Sequence, residues 1–394
     1  MIIFKKNYKT LIKKNFSSDW KYGIKTLYLI ILIVFSLISY YHLSKGFVMS
    51  PDSYWYSKEA DNLIKLNFNL YYLFKNPHVI PSFFYTFPVL LISLSKLLFE
   101  VEWQIAFMTF NLILVFFSLI LFTNSLLLLK VRPLVISLAI VLLTLSIDLL
   151  IWPRYILTDM LFSFLIIFSV YVIIKSIVKE KSYYFLLTLL MILMFFTKPT
   201  APVFIFTTCI FILLIKNQIN YTPRFIVLSI LGLVIIIPII FSTLHYLMEI
   251  YLINNNQVAF LLKYANKGIV VIARPETFIQ PPITFVDNLY LYFIKIIIFF
   301  KPYAAKYSMI HTILNTFHTF LIIFSIIIWS YLNESIKSIN ETFLFILLMS
   351  LMVSAYHSFT IIDYDWRYRF PLILPLIMLF PISIEMLLRK ANIR

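Results

Sequence analysis

The sequence is poorest in the residues on which much soluble-protein chemistry depends. It has a single cysteine in 394 residues, Cys209, which excludes a disulfide framework. Glycine occurs only 4 times, and no Gly-rich phosphate loop, Walker sequence or dinucleotide fingerprint is present. A nucleotide or nucleotide-sugar is therefore not expected as a direct substrate. The glycine shortage also argues against helix packing of the GxxxG type. His42, His78, His245, His311, His318 and His357 have no metal-ligand spacing such as HxxxH, so a structural zinc site is not expected. Charged residues make up 13% of the chain, about half the usual quarter. Too few charges remain to keep this chain in water.

What is present is apolar. Hydrophobic residues make up 62% of the chain, aromatic residues 18%, and mean hydropathy is +0.94. Runs of membrane-spanning length recur from Leu27 to Leu388, which predicts an all-α polytopic membrane protein. The clearest spans are 27–43, 103–129, 133–151, 160–178, 183–197, 199–215, 224–246, 308–332, 342–361 and 370–388. Runs 83–98 and 285–300 are shorter and broken by polar residues.

Net charge is +16, and in such a chain basic residues report orientation before they report a ligand. Lys5, Lys6, Lys9, Lys13, Lys14, Lys21 and Lys25 precede the first run, which predicts a cytoplasmic N-terminus. If runs 83–98 and 285–300 lie at the outer interface, then Lys130, Arg132, Lys175, Lys179, Lys181, Lys216, Arg224, Arg389, Lys390 and Arg394 all face the cytoplasm. This arrangement gives about ten transmembrane helices in the plasma (inner) membrane, both termini cytoplasmic. The long outer loops are 44–102 and 247–307, each bearing interfacial helices. The chain then forms a single membrane-embedded domain over 1–394, with no soluble domain and no nucleic-acid partner. In the first loop, Tyr56, Ala60, Leu63 and Ile64 follow helical spacing and predict an amphipathic helix, with Ser50 as N-cap and Pro51 in its first turn.

On this topology 12 of the 17 acidic residues lie outside or at the outer edge: Asp52, Glu59, Asp61, Glu100, Glu102, Asp148, Asp159, Glu249, Glu276, Asp287, Asp363 and Asp365. Acidic residues do little to orient a chain, so an outer-face site is one explanation. Four segments carry candidate chemistry. In Ser50–Tyr56, Asp52 is a candidate general base, or a charge that complements the helix dipole. In Trp152–Asp159, Asp159 is a candidate to orient substrate, or to hold a divalent cation with Asp52, or simply a helix cap. Lys198 in Thr197–Thr200 is suited to neutralise a phosphate, or to snorkel from a helix end. Arg367 and Arg369 stand in Asp363–Arg369, two of only 8 arginines beside 25 lysines. Guanidinium groups grip phosphate in a two-pronged way that lysine cannot. The alternative there is a charged aromatic belt.

These landmarks, in this order, resemble the GT-C glycosyltransferases that use polyprenyl-phosphate-linked sugars, a group that includes protein O-mannosyltransferases and the lipid A aminoarabinose transferase. Ser50–Ala60 looks like the first-loop acidic motif with its amphipathic helix. Pro77–Tyr85 looks like the Pro- and Tyr-bearing stretch that follows, and Arg154–Leu161 like the second-loop acidic motif. Thr197-Lys198-Pro199 resembles the Lys-Pro element, and Trp366–Pro371 the RYRxP element before the last span. The chain is short for this family and lacks the C-terminal extra-membrane domain of many members. The resemblance implies Asp52 as catalytic base, Asp159 assisting it, and Lys198, Arg367 and Arg369 near the carrier phosphate. It also implies substrate contacts from Glu59, Asp61, His78, Tyr85, Arg154, Arg274 and Tyr368. The implied partners are a polyprenyl-phosphate-sugar donor and a glycan, lipid or protein acceptor. A divalent cation is the one candidate cofactor. Other polytopic readings are a polysaccharide polymerase or ligase, and a lipid-linked-sugar transporter. Nearly charge-free span interiors argue against transport.

Overall fold

In lipid every backbone N–H and C=O must be paired within the chain, and helices achieve this locally. The computed structural model follows that rule, and it describes residues 18–75, 82–181, 183–216, 222–251, 262–272, 274–305, 307–332, 336–360 and 366–391. The helices are α1 (Ser18–Lys45), α2 (Pro51–Lys65), α3 (Tyr71–Lys75), α4 (Thr86–Phe99), α5 (Trp103–Leu128), α6 (Pro133–Leu143), α7 (Ile147–Ile151), α8 (Asp159–Lys179), α9 (Tyr184–Phe195), α10 (Ala201–Lys216), α11 (Pro223–Tyr251), α12 (Phe285–Phe300), α13 (Met309–Leu332), α14 (Lys337–Thr360) and α15 (Phe370–Lys390).

Among the described residues, 7 helical segments are long and apolar enough to cross a membrane, and 8 if the pair α6–α7, bent by 60°, is one span. By helix length and composition the protein is an integral multi-pass membrane protein. The expected count of ten is not reached by this measure. The spans expected at 183–197 and 199–215 are the shorter apolar helices α9 and α10, below the roughly 20 residues a hydrocarbon core requires. Both nevertheless run between the two ends of the bundle. Lys198 and Thr200 stand where the termini of α8 and α15 meet, while Tyr184 and Phe211 stand at the far end, beside Lys337.

The run 83–98, expected to lie flat, becomes a 3-10 turn (Ser82–Tyr85) and α4, continuous with α5 in one apolar stretch of 47 residues. That stretch folds back on itself. Glu100 adopts φ 42° and ends α4, and Leu91 and Leu98 of α4 line one groove with Ile105 and Ile113 of α5. The run 285–300 is α12, opened by a reciprocal cap between Thr284 and Asp287, and it is not among the segments long enough to cross.

At the centre, α8 packs against α5 and α15. Phe122, Phe162, Ile166, Val170 and Met378 are fully buried there. Leu29, Leu32, Leu37, Leu228 and Ile235 point away from the protein, as lipid-facing residues should. Because lipid is as apolar as leucine, close packing and internal polar contacts, not water exclusion, must hold such helices together. Trp329 supplies both: its ring stacks on Phe343 at 4.4 Å and its indole N–H donates to Asn340 at 2.9 Å.

Polar ties also join the loops at one end. Buried Asn111 of α5 donates to the carbonyls of Pro153 and Tyr155, each at 3.2 Å. Val48 and Tyr155 form an isolated parallel bridge, with Val48 N–H to the Arg154 carbonyl at 2.9 Å and Ile156 N–H to the Val48 carbonyl at 3.2 Å. Arg154 donates to the Gly46 carbonyl at 2.9 Å. Residues 46–48, just before α2, are thereby fastened to the segment just before α8. Each of those helices begins with a candidate acid.

The amphipathic helix expected in the first loop is α2. Ser50 is its N-cap, in a capping box with Ser53, and Tyr56, Ala60 and Leu63 are buried. Removing a cap of this kind costs about 1 kcal/mol, which is about a fivefold change in a local equilibrium. Ser50→Ala should therefore speed amide exchange in the first turn of α2 by about fivefold, read by hydrogen–deuterium exchange in detergent, with the transmembrane helices unaffected.

Candidate functional site

The N-terminal ends of α2, α8, α10 and α15 and the C-terminal ends of α9 and α14 come together at this end. Asp52 sits in the first turn of α2, directly after Ser50 and Pro51. Its Oδ2 accepts from the Arg367 guanidinium at 2.6 Å, the two side chains being 43% and 18% exposed. A contact between the start of α2 and the segment before α15 thus spans 315 positions of sequence.

Asp159 opens α8, yet neither it nor Thr158 caps the helix, since no side-chain cap bond forms there. Its carboxylate instead pairs with Lys198, and both side chains are almost wholly buried. The helix-cap account of Asp159 and the snorkelling account of Lys198 both predict side chains turned to water or to their own helix ends, which this pair is not. Burial pushes the Lys198 ammonium below the ordinary lysine value, and Asp159 opposes that shift. Burial, with Tyr85, Asp52 and Asp159 adding to it, pushes the Tyr56 phenol well above its ordinary value, so it stays neutral.

Tyr368 lies between the two cations. Lys198 Nζ is 4.9 Å from its ring centre and the Arg367 guanidinium carbon 5.3 Å, within cation–π range. His357 of α14 packs on the same ring at 4.5 Å. Together Tyr56, Tyr85, Asp159, Lys198, Arg367 and Tyr368 line a small cleft. Asp52 stands at its edge through Arg367. Two carboxylates and two cations balance in charge, while the N-terminal ends of α2, α8 and α15 add positive potential.

Among the described residues the donor set does not fit a divalent cation. Asp52 and Asp159 are each engaged by a cationic side chain, and among the described residues no three His, Cys, Asp or Glu side chains gather as a metal would require.

Of the residues singled out from sequence, Asp52, Tyr85, Asp159, Lys198, Arg367 and Tyr368 are brought together. Others are placed elsewhere. Asp61 pairs with Lys96 of α4 at 2.6 Å. Glu59 is buried on α2 at 3% exposure and does not line the cleft. Arg154 is committed to the Lys45 and Gly46 carbonyls. Arg369 is buried and donates to the Lys301 carbonyl at 2.9 Å, anchoring α12 to α15. Arg274 lies in the second loop at the turn Pro275–Thr277, away from the cleft. His78, Asp363 and Asp365 lie outside the described residues.

Sequence reasoning missed Tyr56, Thr158, Pro199, Thr200, Tyr356 and His357 as lining residues. Tyr56 lies on the apolar face of the expected amphipathic helix, and its ring packs against Tyr85 at 5.3 Å. Thr158, Pro199 and Thr200 adjoin residues already singled out. Nothing local in α14 sets Tyr356 and His357 apart from the apolar span around them.

Removing one partner of a buried ion pair leaves an uncompensated charge and costs roughly 3–5 kcal/mol. Lys198→Met should lower stability by about that amount, read by thermal unfolding in detergent. The double variant Asp159→Leu/Lys198→Met should lose less than the sum of the single losses. Strict additivity would mean that the two groups do not depend on each other.

No family model, curated protein or solved structure matches this chain.

Proposed function

We propose that this protein transfers a sugar from a polyprenyl-phosphate carrier to an acceptor at the outer face of the membrane. The observation that carries the reading is the ion-paired cleft. Two carboxylates and two cations, drawn from four separate parts of the chain, meet at one end of a membrane bundle. The order of motifs that resembles the GT-C glycosyltransferases points the same way. The proposal includes ten crossings, with α9 and α10 counted because they run between the two ends, and both termini in the cytoplasm.

The chemistry assigned to the cleft is a single displacement. Asp52 takes the proton of an acceptor hydroxyl or amine. That oxygen or nitrogen bonds to the anomeric carbon as the bond from carbon to carrier phosphate breaks, and the phosphate leaves with the electron pair. One displacement inverts the anomeric centre. Arg367 and Lys198 stabilise the charge that grows on the departing phosphate. In the resting cleft Arg367 is held by Asp52. A carrier phosphate competes for that guanidinium and leaves the Asp52 carboxylate open to the acceptor. The aromatic wall of Tyr56, Tyr85 and Tyr368 offers flat apolar faces beside polar tips, suited to the mixed surface of a sugar.

The test is transfer in vitro from a panel of polyprenyl-phosphate sugars. Asp52→Asn should reduce transfer by about 10²–10⁴-fold while membrane insertion and helix content stay unchanged. Normal transfer by that variant would remove Asp52 as the base. No transfer from any carrier sugar by the unaltered protein would remove the reading itself.

A further inference from the structure

A second, larger cleft opens at the other end of the bundle. It is open-sided and lies among the ends of α5, α8 and α15 and the starts of α9 and α14. Its separation from the candidate site follows from helix geometry. α8 has Asp159 in the first cleft and Ser176 to Glu180 in the second, and it is 21 residues long. α14 runs in the opposite sense, with Lys337 in the second cleft and His357 in the first. At 1.5 Å per residue these helices separate the two openings by about 30 Å, one hydrocarbon thickness. The two clefts therefore belong to opposite membrane surfaces.

The lining is divided. The rim carries Lys130, Lys181, Lys337 and Arg389 against two acids, Glu180 and Glu341. Glu341 is itself buried and lies 3.8 Å from Lys337. Arg389 is held by Glu385 at 3.0 Å and by the Lys130 carbonyl at 2.6 Å, which fixes a guanidinium at the rim. Lys130, Lys181 and Lys337 are exposed. Tyr183 and Tyr184 stand beside them, and Lys175 packs over the Tyr183 ring at 4.7 Å. Inward, the wall is apolar, formed by Ile173, Ile177, Leu187 and Phe211.

We infer that this cleft binds a membrane lipid with an anionic, phosphate-bearing headgroup, the phosphate at the lysine rim and the acyl chains along the apolar wall. Excess basic charge at a helix-lined opening is the feature that selects anionic headgroups on the cytoplasmic side of a membrane. The basic bias of this end also places it on the cytoplasmic side. A free phosphate ion would use the rim but would have no use for the apolar wall, so the divided lining favours the lipid. The tyrosines fit the same depth, because such rings settle at the headgroup level.

The experiment uses the full chain in nanodiscs containing photoreactive phosphatidylglycerol, or photoreactive phosphatidylcholine with the same acyl chains. Cross-links are mapped by mass spectrometry. Phosphatidylglycerol should label segments 183–187 and 336–341 several-fold more than phosphatidylcholine does, and added salt should reduce the difference. The variant Lys130→Gln/Lys181→Gln/Lys337→Gln should lose about tenfold of that labelling. Equal labelling by the two lipids in the unaltered protein would overturn the inference, whether or not the variant folds. So would full labelling of a folded triple variant. Displacement of the label by millimolar inorganic phosphate would assign the rim to a free anion instead, and would also overturn it.

Discussion

A charge carried into a membrane-embedded bundle costs least when it is paired there, and Asp159 and Lys198 form such a pair. Both side chains are almost wholly buried. The cost of removing either ion from water is recovered only if the partner is held in place. That requirement fixes the start of α8 against the turn between α9 and α10. It also brings the Tyr368 ring over Lys198, and with it Arg367 and Asp52. The cleft is a consequence of pairing buried charges as much as it is a space between helices.

The loops around the cleft obey a similar logic at lower cost. Peptide groups of residues 46–48 and 153–156 find partners within the protein. They pair with each other, with Asn111 and with Arg154. The result is a hydrogen-bonded seam from which α2 and α8 depart, each presenting an acid in its first turn. Arg369 performs the corresponding service on the other side by holding the end of α12. Several residues that resembled substrate ligands turn out to be such fasteners. Arg154 and Arg369 donate to neighbouring backbone carbonyls, and Asp61 pairs with Lys96.

The two clefts lie at opposite ends of the same helices, and their linings differ in kind. The first balances two acids against two cations in a small aromatic space. The second gathers basic groups above an apolar wall. Helices α8 and α14 carry residues of both. Their lengths match the membrane, so a single set of helices sets the distance between a candidate reaction site and a candidate lipid site.

Much of this was legible in the residues themselves. Long apolar runs require helices in lipid, and the polytopic class follows from hydropathy alone. The Ser50-Pro51-Asp52 start of α2 was readable because N-caps and first-turn prolines act locally. Asp52, Asp159, Lys198 and Arg367 stood out because charge is scarce in this chain. The sequence could not say which carboxylate meets which cation, because those pairs lie 315 and 39 positions apart. Nor could it separate Arg367, which faces the cleft, from Arg369, which faces backbone carbonyls, since a helical turn of two residues reverses direction. The number of helices long enough to cross also differed from the count of apolar runs, because Pro133–Leu143 and Ile147–Arg154 bend apart and α9 and α10 are short. Periodicity and composition, which act within a few turns of chain, determined the class and the elements. The partners of each buried charge were decided only by tertiary packing, because electrostatic pairing depends on distance in space and not on distance along the chain.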